Sequence, residues 1–148
     1  MITVKININK DKVYDEVAQT TSYTGAKMDG DEGAYERIFT TDSDRSQLER
    51  FWNESRGALC QTLKNFLESE TEVDGNYELT LSLSSSYDTA LNETLQKDVM
   101  SFFVLSITAK WFVITNKQEA TGYAASSAQM LESVLRKVYH KKRPRREL

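Results

Sequence analysis

The stretch from Thr89 to Lys142 constrains the fold most, because it holds enough apolar surface to organise a core. Leu91, Leu95, Val99, Phe102, Phe103, Leu105, Ile107, Trp111, Phe112 and Ile114 recur at three- and four-residue intervals. That spacing predicts a helix whose apolar face is nearly a whole cylinder, so other elements must cover it on most sides. Thr115-Asn116-Lys117 interrupts the pattern, and Asn116 followed by Glu119 resembles a capping box with asparagine in the cap role. A second helix is expected from Gln118 to about His140, with Ala120, Ala124, Ala128, Leu131, Val134, Leu135 and Val138 on one face. The break folds the two into a hairpin.

Two one-sided strands lie upstream. Ile2, Val4, Ile6 and Ile8 alternate with Thr3, Lys5, Asn7 and Asn9, and Tyr77, Leu79, Leu81 and Leu83 alternate with Glu78, Thr80, Ser82 and Ser84. A period of two with one apolar face is the signature of a half-buried strand. Their matched patterns predict that they lie side by side, and a two-stranded ribbon needs a helical cover or a further strand. The ribbon's outer edges are open to another chain.

Between the strands, Asn9 or Asp11 can cap a helix from about Lys12 to Thr21. Thr41-Asp42-Ser43-Asp44 precedes a longer one, expected from Asp44 to Glu68, whose inward stripe is Leu48, Phe51, Trp52, Leu59, Leu63, Phe66 and Leu67. Gly57 in its middle costs roughly 1 kcal/mol relative to alanine and suggests a close crossing. Glu70 to Asn76 reads as an acidic turn, with Asp74-Gly75 introducing the next strand. Ser86 or Asp88 is the expected cap of the apolar helix. The fold class is therefore α+β, mainly helical: a four-helix bundle-like core with a central helical hairpin and a small two-stranded β element. Residues 1–140 form the domain, and residues 141–148 form a basic tail.

At 148 residues the chain is the size of one ordinary domain. Met1-Ile2-Thr3-Val4-Lys5 has no basic region followed by an apolar run, so no signal peptide is expected. The longest apolar run, Phe102 to Ile114, contains Lys110 and is too short to span a bilayer, which marks a core helix rather than a membrane anchor. The lone cysteine, Cys60, lies among helix-patterned residues and reads as a buried packing thiol.

Little in the chain suggests catalysis. The one histidine, His140, sits among Arg136, Lys137, Lys141 and Lys142, with no neighbouring carboxylate in sequence to orient it as a base. There is no phosphate loop, dinucleotide fingerprint, nucleophile elbow or zinc pattern. The run Asp29-Gly30-Asp31-Glu32-Gly33 fails as a calcium loop, which would need a carboxylate at Gly33, glycine at Ala34 and glutamate at Thr40. No catalytic residue, cofactor or metal is assigned, although a site built from carboxylates alone leaves no sequence signature.

Charge is distributed unevenly. Residues 1–135 hold 12 Lys and Arg against 21 Asp and Glu, a net of −9, whereas residues 136–148 hold seven against one, a net of +6. Cations so concentrated can contact acidic protein, the phosphates of DNA or anionic lipid, or remain solvated. Docking on acidic protein is preferred, because the body of a neighbouring copy supplies the opposite charge. The expected interface sets Arg136, Lys137, Lys141, Lys142, Arg143, Arg145 and Arg146 of one copy against Asp29, Asp31, Glu32 and Glu36 of the next. Deleting residues 141–148 is expected to leave the thermal midpoint nearly unchanged.

Several words in the chain are familiar. Val13-Tyr14-Asp15-Glu16-Val17-Ala18, Tyr23-Thr24-Gly25-Ala26-Lys27, Phe51-Trp52-Asn53-Glu54, Lys110-Trp111-Phe112 followed by Glu119-Ala120 and Tyr123, and Arg143-Pro144 resemble small virion structural proteins of tailed bacteriophages that infect Bacteroidetes. Within that group the likeness is to neck components between portal and tail. The resemblance implies a non-enzymatic head–tail connector or ring protein, assembled in the host cytoplasm into a virion. It would form a homo-oligomeric ring in contact with portal and tail components, with nonspecific DNA contact through the tail as a further expectation and no membrane partner.

Overall fold

The structure is a computed structural model that describes residues 1–26 and 44–143. Strand β1 (Ile2–Asn9) leads into helix α1 (Lys10–Ala26), then α2 (Arg45–Thr62), β2 (Leu67–Val73), β3 (Asn76–Leu83), a 3-10 turn (Thr89–Leu91), α3 (Asn92–Thr115) and α4 (Lys117–Tyr139). Among the described residues it is a mainly helical α+β fold with four helices and one small antiparallel sheet.

The two expected strands are neighbours, paired along their whole length from Ile2 opposite Leu83 to Asn9 opposite Asn76. Val4, Ile6 and Ile8 on β1 and Tyr77, Leu79, Leu81 and Leu83 on β3 are buried against the helices. The sheet nevertheless has three strands, in the order β1-β3-β2. The helix expected to continue to Glu68 ends at Thr62, and the segment expected as a turn is mostly strand β2. Asp74 (φ 53°) and Gly75 (φ 78°) both take positive φ, as a two-residue type I′ turn requires, and they join β2 to β3 as a tight hairpin.

α3 is the central element. Leu95, Val99, Phe102, Phe103, Val104, Ile107, Trp111 and Phe112 are all buried, packed against α1, α2, α4 and β1. With the turn ahead of it, Thr89–Thr115 is long and apolar enough to cross a membrane by length and composition, longer than the run Phe102–Ile114 suggests. Burial inside this fold accounts for much of its apolarity: 56% of its most apolar 18-residue stretch is enclosed. Lys110, the charge within the run, pairs with Glu54 of α2 at 3.3 Å. The cover is incomplete at the C-terminal turn, where Val113 and Ile114 are 56% and 60% exposed.

The hairpin breaks at Asn116, whose carbonyl accepts the N–H groups of Glu119 and Ala120. α4 keeps most of the expected face: Ala120, Leu131, Val134, Leu135 and Val138 lie on the core, joined by Tyr123 and Met130. Ala124 and Ala128 are instead exposed. Tyr123 meets Phe112 with ring centroids 5.3 Å apart.

The close contact of α2 with α3 also lies elsewhere than expected. A Cβ added at Gly57 would meet nothing within 4 Å, whereas the buried hydroxyls of Ser55 and Ser106 are 2.7 Å apart. Nearby, Trp52 stacks on Phe103 at 4.2 Å and meets Tyr77 edge-on at 5.7 Å. Two of the expected caps form: Asn9 Oδ1 accepts the Lys12 N–H at the start of α1, and Asp88 Oδ1 accepts the Ala90 N–H at the 3-10 turn. Asn116 and Asp44 occupy the cap positions of α4 and α2 without a side-chain cap hydrogen bond, so the capping box expected at Asn116 does not form.

Candidate interaction surfaces

The basic C-terminal residues have different surroundings. Lys137 forms an ion pair with Asp98 of α3, and Asp98 also accepts the Ser133 hydroxyl at 2.8 Å. The Lys137 and Asp98 side chains are 22% and 13% exposed, so this pair fastens α4 to α3 and its charge is matched internally. Arg136 pairs with Glu132 one turn back on its own helix, at 2.6 Å. The candidate interface therefore loses Lys137 to the fold and keeps Arg136 only in competition with Glu132. Asp29, Asp31, Glu32, Glu36, Arg145 and Arg146 lie outside the described residues.

Lys141, Lys142 and Arg143 are exposed, but the chain that carries them is held at its root. Lys141 forms a β-bridge with Tyr87, and the Lys142 N–H donates to the Ser86 carbonyl at 2.8 Å. Tyr87 itself is buried and donates its hydroxyl to Asn92 Oδ1 at 2.9 Å. Tyr139 meets Phe66 edge-on at 4.9 Å, so the helix delivers the tail beside the residue preceding β2. His140 is exposed at the end of α4.

β2 forms an acidic edge. It is exposed along nearly its whole length, and its sequence LESETEV has three glutamates and no cation. Glu70 and Glu72 stand opposite Leu79 and Tyr77, on the face of the sheet covered by helices. Glu72 contacts Lys10 at 3.0 Å and Arg56 at 3.5 Å. Its side chain is only 24% exposed although the residue as a whole is exposed, so main chain contributes to the open area. Among the described residues no strand pairs with the outer side of β2. The opposite edge, β1, is partly shielded by the Gln96 side chain, which accepts the Asn7 N–H at 3.4 Å.

Behind β2 lies a charged network that joins α1, α2 and the sheet. The Lys10 ammonium, 10% exposed, sits 2.6 Å from Glu49, 3.0 Å from Glu72 and 5.6 Å from the centre of the Trp52 ring. Arg45 bridges Asp11 at 2.7 Å and reaches Glu49 at 4.0 Å. The hydrogen bond to Asp11 pushes the Arg45 pKa upward. Burial, reinforced by the Glu49 charge, pushes the Tyr14 hydroxyl upward. Nothing in the periodicity marked Lys10 as a core residue. Its signal was positional, since it directly follows an alternating strand.

Cys60 packs against the core as expected but is half-buried rather than fully buried. Its Sγ donates to Glu70 Oε2 at 2.9 Å, and the Tyr77 hydroxyl donates to the same oxygen at 2.6 Å. Burial and the Glu70 carboxylate push the thiol up to about 11. Burial also raises the Tyr77 hydroxyl. Burial alone would raise Glu70, but the hydrogen bonds from Cys60 and Tyr77 outweigh it and hold the carboxyl below its usual range. Each of these shifts moves its group away from neutrality, the reverse of the tuning that acid–base catalysis requires. Among the described residues no group of three or more His, Cys, Asp or Glu side chains is placed to hold a metal ion.

The fold defines a mainly helical α+β protein with an open acidic sheet edge and a basic C-terminal extension. Comparison with protein-family models, curated proteins and solved structures finds no match for this chain.

Proposed function

We propose that this chain is a non-enzymatic structural subunit of a tailed-phage virion: a neck or head–tail connector ring component, assembled in the host cytoplasm and joining portal and tail through subunit–subunit contacts. The observation that carries the reading is the outer edge of β2, which is exposed along nearly its whole length and pairs with no other strand among the described residues. An open edge is a template for pairing with another chain. The resemblance to neck proteins supports the same reading. Many residues that carry it are core residues, among them Tyr14, Trp52, Trp111 and Phe112, so it concerns how the chain packs. Cryo-electron microscopy and mass spectrometry of particles purified from a host expressing the chain test the proposal. The expected result is many copies forming a ring between head and tail. Particles that lack the chain, or that form complete necks after its deletion, overturn it.

The exposure of Lys141, Lys142 and Arg143 favours a second reading, a nucleic-acid-binding accessory protein acting through its basic tail. That reading requires DNA affinity that falls steeply with salt and is lost on removal of residues 141–148. A flat salt response excludes it.

A further inference from the structure

We infer that the outer edge of β2 is the docking site for the basic C-terminal segment of a second copy, which adds to the sheet as a fourth strand. The inference rests on the structural-subunit reading for its setting and on charge and geometry for its content. Glu68, Glu70 and Glu72 give this edge a single sign. Inward-pointing charges on an edge strand disfavour casual pairing, including pairing with the same acidic edge of another copy. They admit a cationic extended segment, so the repulsive and attractive elements select the same partner. The chain carries one such segment: Lys141, Lys142, Arg143, Arg145 and Arg146 fall within six residues.

The geometry favours a partner in trans. His140 leaves α4 in an extended conformation (φ −68°, ψ 132°), so the segment begins strand-like. Within one chain, however, α4 contacts Phe66 through Tyr139, and residues 141 and 142 then pair with Tyr87 and Ser86 rather than with β2, which leaves the acidic edge unpaired among the described residues. Lys10 and Arg56 already pair with Glu72 from behind, and Cys60 and Tyr77 both donate to Glu70, which leaves Glu68, exposed at the register shift between Leu67 and Ser69, as the edge glutamate most open to an incoming cation.

The test is a disulfide trap between differently tagged full-length copies in a Cys60→Ser background. One copy carries Thr71→Cys on the exposed strand and the other Arg143→Cys. The expected result is a cross-linked heterodimer at least tenfold more abundant than with Lys97→Cys, an exposed control on α3. The yield should fall in 1 M salt and on adding Glu68→Lys to the first copy, with circular dichroism confirming that each variant is folded. Equal yields from Thr71→Cys and Lys97→Cys, a link formed only within one chain bearing both cysteines, or indifference to Glu68→Lys overturns the inference. A chain present in virion necks that gives no trapped pair refutes this docking mode and leaves the structural-subunit reading standing. A trapped pair in a chain absent from particles does the reverse.

Discussion

Lys10 Nζ lies 3.0 Å from Glu72 Oε1, so the first residue of α1 is tied to the edge strand of the sheet across a nearly closed interface. The same ammonium is 2.6 Å from Glu49 on α2, so one cation holds three elements together. Removing both carboxylates by Glu49→Gln and Glu72→Gln strands a nearly buried ammonium and is expected to cost about 3 kcal/mol. Each single change should cost about 1 kcal/mol, because Lys10 keeps its other partner. Lys10→Met should cost less than the double change, since Glu49 and Glu72 retain Arg45 and Arg56 and some solvent. Urea denaturation of the four variants checks the ordering.

Gly57 and Gly122 occupy helical positions at which an added Cβ meets nothing within 4 Å. Alanine at either site should therefore stabilise the protein by about 0.5–1 kcal/mol. Gly75→Ala should destabilise it, because the hairpin turn there requires φ near +78°. Thermal melts that rank Gly75→Ala above either helical substitution would contradict this assignment of roles.

Cys60, raised to about 11, is almost entirely protonated at pH 8. Because the thiolate is the reactive form, alkylation by iodoacetamide in the folded protein should be more than about 100-fold slower than in the urea-unfolded chain, whose thiol titrates near 8.5. A mass-spectrometric time course measures both rates. The folded pKa exceeds the unfolded one, so the associated stability is present below about pH 8.5 and lost as pH rises toward 11.

Glu70 has the opposite sign. Its folded pKa lies below the ordinary value, so its contribution is present above about pH 4.3 and lost as pH falls through the folded pKa. Glu70→Gln should flatten the acid side of the stability curve. A wild-type and variant pair with parallel acid limbs would show that Cys60 and Tyr77 do not hold this carboxylate ionised.

The root of the tail changes the expected effect of truncation. Removing residues 144–148 should leave the melting temperature unchanged, but removing 141–148 also takes away the Lys142–Ser86 hydrogen bond and the bridge to Tyr87. The longer deletion should cost about 1 kcal/mol, seen as a drop of roughly 2–4 °C for a chain of this size.

Apolar patterning accounts for what was legible in the sequence. β1 and β3 each present an unbroken apolar face, so their pairing could be inferred from Ile2 to Leu83, and the ten apolar positions from Leu91 to Ile114 could only be a central helix. β2 escaped because its inward positions are Glu70 and Glu72, stabilised by Lys10, Arg56, Cys60 and Tyr77, so its alternation carries no apolar signal. The turn Asp74-Gly75 was the available clue, and it marks a hairpin as readily as a loop. The inward places of Tyr123 and Lys137 on α4 were hidden for a related reason: they are set by partners on α3, Phe112 and Asp98, that periodicity does not reveal. Of the candidate interface, Lys141 to Arg143 were legible as exposed cations, whereas the internal role of Lys137 depends on a carboxylate 39 residues away.

The register of β1 also dictates a sequence of events in time. Ile2 pairs with Leu83, so on a ribosome adding 5–20 residues per second the first strand waits on the order of 10 s for its partner to be made. The β2–β3 hairpin closes within roughly 1–10 μs of becoming available. Both pairings await β3, but β2 is its neighbour in the chain whereas β1 must close a long loop across α1 and α2, so the acidic hairpin is expected to form first and the oldest part of the chain to be added to it.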